Sequence, residues 1–219
     1  MKKISTKISK CQFSKKKDLE LILSLGSLPA VNNFEKIRKK KNYELFFPTN
    51  LVYSKSSCLF QIDNLVQKEI LFPKNYPYTS STTKILRDNF NSLDKEVKKV
   101  TTLTSKDLVI DIGSNDGNLL KHFKNVRVLG VTPEEIGKKA IRSGIPTILS
   151  YFDDSTVKKI LQNYGKAKIV TATNVFAHME NLDHVTDNIK KIMSKDGIFI
   201  SESHYFLSIL QGLQYDTIY

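Results

Sequence analysis

The chain has 219 residues, 40% hydrophobic and 26% charged, with 9 Gly and 6 Pro. That is enough for one α/β domain plus a smaller neighbour, and it excludes collagen-like, mucin-like and disordered classes. The formal charge of +12 is uneven, since residues 1–100 carry 20 basic against 9 acidic side chains and residues 101–219 carry 14 against 13.

In chain order, the Lys-rich N-terminus has no apolar core behind it, because Lys15, Lys16, Lys17 and Asp18 intervene before Leu19. A secretory signal is not expected there, and no run approaches the roughly 20 apolar residues of a membrane span. A soluble cytoplasmic protein with no membrane partner is the expectation. The apolar runs Leu19–Leu25 and Tyr43–Phe47 flank a basic cluster at Lys36–Lys41, a pattern that suits short irregular elements better than one long helix. Cys11 and Cys58 form no CxxC pair and no His occurs in the first 100 residues, so Cys and His alone cannot assemble a zinc site there. Pro73, Pro77 and the hydroxyl run to Thr83 mark a loop whose Ser and Thr side chains can cap the next element. Ile85, Leu86, Phe90, Leu93 and Val97 then recur at helical spacing and predict a helix over 83–100.

From Asp107 the pattern becomes a βαβ series. Strands are predicted at 108–112, 127–131, 145–149, 168–173 and 197–202, with helices at 118–123, 133–143, 156–163 and 184–193. The strands are almost wholly apolar, as parallel strands buried on both faces are. The first strand runs into Asp111-Ile-Gly-Ser-Asn-Asp-Gly117. Gly113 and Gly117 permit the sharp turn that brings backbone amides and a helix start close to a ligand at the carboxyl ends of the strands. The middle glycine of a GxGxxG loop is missing, while Asp111, Asn115 and Asp116 make the loop acidic. An acidic loop suits a cation such as S-adenosylmethionine better than a dinucleotide pyrophosphate.

Six stretches, Tyr76–Ser81, Asp111–Gly117, Val128–Pro133, Gly144–Ile148, Asn174–His178 and Leu213–Tyr219, together resemble the S-adenosylmethionine-dependent sugar C-methyltransferases that act on nucleotide-linked deoxyketosugars. The resemblance implies a small zinc-binding domain followed by a class I, Rossmann-like methyltransferase domain with a parallel α/β sheet. The expected division is 1–72, a small basic domain; 73–100, a loop and connecting helix; and 101–219, the cofactor domain. By the same resemblance Asp111, Gly113, Ser114, Asn115, Asp116, Gly117, Thr132 and Asn174 would bind cofactor. His178, Tyr78, Tyr76 and Tyr219 would serve the chemistry, which is removal of a proton beside the sugar ketone and attack of the enolate on the sulfonium methyl.

Three departures from the family pattern matter. The family's two CxxC pairs fall on Cys11, Ser14, Ser54 and Ser57, so three of four thiolates are replaced and no zinc is expected; a one-residue shift to Cys58 still leaves two ligands. The acidic residue after the second strand, which would hold the ribose hydroxyls, is Thr132, with Glu134 or Glu135 as the available compensation. The sequence stops at Tyr219, before the family's His-Glu-His, which predicts a truncated chain whose last strand, 197–202, is an exposed apolar edge open to a partner chain. A catalytically inactive S-adenosylmethionine-binding or interaction module is the second reading. A basic RNA-binding methyltransferase is the third, but no RNA-binding motif accompanies the lysines and no nucleic-acid partner is expected.

Overall fold

The computed structural model describes residues 4–31, 34 and 44–218; the basic cluster at Lys36–Lys41 and Tyr219 lie outside them. The chain divides into two compact units. One is drawn from the residues up to Pro73, from Glu180–Leu182 and from His204 onward, the other from Lys74–Met179 and Asp183–Ser203.

The first unit begins with β1 (Ser5–Lys7), β2 (Leu19–Pro29), β3 (Phe46–Ser54), β4 (Leu59–Ile62), β5 (Asn64–Val66) and the single turn α1 (Lys68–Leu71). β2, β3 and β4 form an antiparallel sheet, and β1 pairs with β5. The 11-residue β2 is longer and more regular than expected of short irregular elements. Leu19, Leu21, Leu23 and Leu25 alternate at the two-residue period of a strand, with Leu19, Leu23 and Leu25 half-buried and Leu21 exposed, and pairing with β3 supplies the order. β3 does alternate, burying Phe47, Thr49 and Leu51.

The second unit starts with a loop and α2 (Lys84–Val100), followed by β6 (Leu108–Ile112), β7 (Arg127–Thr132), α3 (Gly137–Arg142), β8 (Thr147–Leu149), α4 (Asp154–Asn163), β9 (Ala167–Thr173), α5 (Leu182–Ile192) and β10 (Met193–Glu202). The five strands are parallel in the order β10-β9-β6-β7-β8. Chain progression reverses between β6 and β9, which opens a crevice at their carboxyl ends. Alternation along β6 divides the core: Leu108, Ile110 and Ile112 pack with α4 and α5 through Val157, Ile160, Val185, Ile189 and Ile192. Val109 packs on the other face with Phe90 and Val97 of α2. α6 (Phe206–Gln211) returns to the first unit, where Ile209 and Phe206 pack with Leu51, Ile62 and Ile218.

Three local expectations are corrected. The segment 118–123 is a short turn of 3-10 helix at Leu120–His122, because Leu119, Leu120 and Phe123 are all buried and so few residues cannot repay helix nucleation. Ile85 is 84% exposed, and the buried stripe of α2 is Phe90, Asp94 and Val97. Thr83 stands at the start of α2 without a capping side-chain bond; instead the Arg87 guanidinium donates to the carbonyls of Ser81 and Thr82.

Candidate active site

The loop after the central strand β6 is fixed mainly by its own backbone. Gly113 and Gly117 have φ of 77° and 75°, in the left-handed region that glycine occupies without a Cβ penalty. A Cβ at Gly117 would lie 2.8 Å from Ile145 and 2.9 Å from Ala140, so the loop sits directly on the segment around α3. The amides of Gly113 and Ser114 donate to the Val131 carbonyl at 2.8 and 3.1 Å, so these two N–H groups tie the loop to β7 instead of facing a ligand as the glycine spacing suggests. Ser114 rests over Gly130 of β7, where a Cβ would come within 2.4 Å of the serine oxygen.

Asp111 faces Thr171, its register partner on β9, which donates a 2.6 Å hydrogen bond to the carboxylate. Burial pushes the Asp111 carboxyl up to about 7, against the opposing pull of the Thr171 hydroxyl. Ser114 Oγ and Asn118 Nδ2 are buried without a hydrogen-bond partner. A buried acid and, a few residues on in the same loop, unsatisfied polar atoms fit a cationic, hydrogen-bonding ligand at the switch point, since each such atom left unpaired carries a desolvation cost.

Asn115 and Asp116 have a different immediate job from the one expected. Asn115, itself at φ 49°, accepts from the Ser80 amide at 2.9 Å and donates to the Tyr78 carbonyl at 3.1 Å. Asp116 accepts from the Ser80 hydroxyl at 2.7 Å. They clamp the hydroxyl-rich loop onto the glycine loop and so carry Tyr78 to the crevice. Burial, with the Tyr76 hydroxyl and the Asp116 carboxylate nearby, raises the Tyr78 pKa, which keeps it a phenol.

After β7, Thr132 is fully buried and its hydroxyl donates to Glu134, whose carboxyl burial raises above the ordinary range while the Thr132 bond pulls it back. Glu135 instead forms an ion pair with Lys138, and both of those side chains are largely exposed. Of the two available acids, Glu134 is therefore the one beside Thr132. After β9, Asn174 turns at φ 54° and the 3-10 turn Phe176–His178 comes next, with His178 half-buried. Val175 from this segment covers Gly113, where a Cβ would meet it at 2.9 Å. Asn174 donates to Glu202 Oε1 at 2.9 Å, Asn89 of α2 donates to Oε2 at 2.7 Å, and the Asn174 amide donates to the Glu202 carbonyl at 2.7 Å. Sequence reasoning missed Glu202, Ser80 and Thr171. Thr171 carried a readable signal, a hydroxyl inside the apolar stretch Ile169–Ala172; Glu202, at the end of a predicted strand, carried none.

In the first unit, Cys11 Sγ lies 3.1 Å from Ser57 Oγ and receives the Ser14 amide at 3.4 Å, while Ser57 donates to Ser54 at 3.0 Å. The four positions matched to zinc ligands do converge, with Ser57 and not Cys58 in the fourth place; Cys58 is exposed and its sulfur is 3.9 Å from the Lys55 carbonyl. One thiol and three neutral hydroxyls do not fit Zn²⁺, and among the described residues no cluster of His, Cys, Asp or Glu could hold a metal ion.

The sheet order, the glycine loop at its switch point and the buried acid beneath it define a class I, Rossmann-like methyltransferase fold. A family model described as "Methyltransferase domain" matches residues 85–215, and one described as "Putative zinc binding domain" matches residues 11–72. The chain belongs to the methyltransferase-domain family. It is 27% identical over 222 residues to the C-methyltransferase NovU of Streptomyces niveus, a match that spans 100% of this chain and 53% of that protein, about half its length. Among solved structures it is similar to the complex of the Haloferax volcanii Trm112 methyltransferase activator with a methyltransferase, at TM-score 0.48 and 17% identity over 62% of each chain. It is also similar to the plantazolicin methyltransferase BpumL in complex with a pentazolic desmethylPZN analog and SAH, at TM-score 0.46 and 16% identity over 61% of this chain and 52% of that one.

Proposed function

We propose that this chain carries the cofactor-binding part of an S-adenosylmethionine-dependent C-methyltransferase acting on a nucleotide-linked deoxyketosugar through an enolate. The observation that carries the reading is the buried Asp111 at the carboxyl end of the central strand, followed in the same loop by the unpartnered Ser114 Oγ and Asn118 Nδ2, a combination that favours a cation with further hydrogen-bonding groups. The full-chain similarity to a C-methyltransferase supports carbon as the atom methylated. The 20 basic side chains of residues 1–100 support a phosphate-bearing substrate.

S-adenosylmethionine, when bound, supplies a methyl group on a cationic sulfur. Asp111 neutralises positive charge in a buried setting, where a single carboxylate acts strongly. Glu134, with Thr132 behind it, accepts hydrogen bonds from ribose hydroxyls. Asn174 orients whatever lies against the 174–178 segment. His178 takes the proton from the carbon beside the ketone, and Tyr78, held as a phenol, donates to the enolate oxygen. Tyr76 and Tyr219 are assigned to substrate contact in the same reading.

A specific observation favours the second reading, an S-adenosylmethionine-binding module that needs a partner chain. β10 pairs with β9 on one side, and among the described residues no strand covers its other edge, where Ile198, Phe199 and Ile200 are half-buried. A strand supplied by a partner is the proposed cover. Calorimetry with S-adenosylmethionine and then a methyl-transfer assay with a nucleotide-linked 4-ketosugar decide between the readings. Binding with transfer is the expected result, binding without transfer moves the assignment to the module, and absence of binding overturns both.

A further inference from the structure

We infer that the first unit is closed by a metal-free staple of serine hydroxyls and one thiol, which occupies the positions of a zinc site and replaces it. Four thiolates around Zn²⁺ at about 2.3 Å stand roughly 3.8 Å apart, with the cation at their centre. Here the neighbouring heteroatoms are 3.1 Å apart between Cys11 and Ser57 and 3.0 Å apart between Ser57 and Ser54, which is direct hydrogen-bond contact, closer than thiolates stand around a cation.

Charge and proton count explain why this arrangement holds without a cation. Four thiolates repel one another unless a metal lies between them, whereas a hydroxyl both donates and accepts and adds no charge. Ser54 donates to Asp18 at 2.9 Å, and Ser57 donates to Ser54. Each serine has one proton to give, so with those two committed the Cys11–Ser57 contact is donated by the thiol. The donor chain then runs from Cys11 through Ser57 and Ser54 and ends on the carboxylate of Asp18.

A return path closes the ring: the Ser56 amide donates to Asp18 at 2.8 Å, the Ser56 hydroxyl donates to Ser14 at 2.9 Å, and the Ser14 amide points at Cys11 sulfur. The staple joins the turn at 11–14 to the β3–β4 turn, 46 positions apart in sequence between Cys11 and Ser57, which is the cross-link a structural zinc would make. Asp18 completes the ring from outside the four matched positions. Ser54 has no exposed surface, so deleting its hydroxyl removes the acceptor of Ser57 where water does not reach.

The test uses the full chain and Zn²⁺ alone. Wild-type protein incubated with zinc and dialysed is expected to retain far less than one zinc per chain and to melt at the same temperature with and without EDTA. Ser54→Ala and Asp18→Asn are each expected to lower Tm by about 2–4 °C. The triple variant Ser14→Cys, Ser54→Cys, Ser57→Cys is expected to bind about one zinc per chain and to become EDTA-sensitive. Stoichiometric zinc in the wild type with a Tm that falls in EDTA would overturn the inference. So would Ser54→Ala and Asp18→Asn proteins that melt like the wild type, or a folded triple variant that ignores zinc. Should the triple variant fail to fold, the two single substitutions decide alone.

Discussion

At the scale of single residues, Asp111 makes the sharpest prediction. Its folded pKa of about 7 lies above the ordinary 3.8, so the protonated acid is what the ligand-free fold prefers. Its contribution to stability is complete below pH 4 and is lost as pH rises towards and through 7, by about 1.4 kcal/mol per pH unit across that window. Denaturation of the ligand-free chain between pH 4 and 8 should show this slope, and Asp111→Asn should flatten it. Binding of a cation has the opposite sign: affinity for S-adenosylmethionine should rise as pH passes through 7, with proton uptake by buffer visible in calorimetry. Glu134 makes a second prediction. Glu134→Ala should weaken binding of S-adenosylhomocysteine by about tenfold or more, the loss of charged hydrogen bonds, while Glu135→Ala, which breaks only an exposed ion pair, should leave affinity unchanged. Calorimetry on the two variants checks it. The sequence narrowed the compensating acid to these two neighbours, and only the burial of one against Thr132 chose between them.

At the scale of elements, the carboxyl ends of the strands are held in register by side chains that no local pattern reveals. Glu202 receives Asn89 of α2 on one oxygen and Asn174 on the other, joining a helix, a strand end and a left-handed turn 113 positions apart at the extremes. Glu202→Ala should loosen the 174–178 segment while α4 and α5 keep their protection. Hydrogen exchange should show the Asn174 amide, which donates to the residue 202 carbonyl, exchanging faster by at least about tenfold. Strands β6, β7 and β9 were legible because mainly apolar runs of five to seven residues have few other homes. The segment 118–123 was not, since a short apolar run reads alike as a helix or as buried irregular chain. β2 did carry a two-residue period in Leu19, Leu21, Leu23 and Leu25, interrupted by the apolar Ile22 between them.

At the scale of the whole molecule, the family resemblance marked Cys11, Ser14, Ser54 and Ser57 as a depleted ligand set, and the sequence by itself determined the α/β class and the position of the glycine loop at the end of the first parallel strand. These depend on residue type and on periods of a few residues, which are local properties of a chain. Tertiary structure alone decided that those serines meet and close on Asp18. It also decided that Asn115 and Asp116 hold the 78–80 loop, and that Glu134 and not Glu135 stands beside Thr132. Each of those outcomes depends on which burial and which hydrogen-bond partner a side chain reaches across 2 to 46 positions, and that is fixed only when the elements pack.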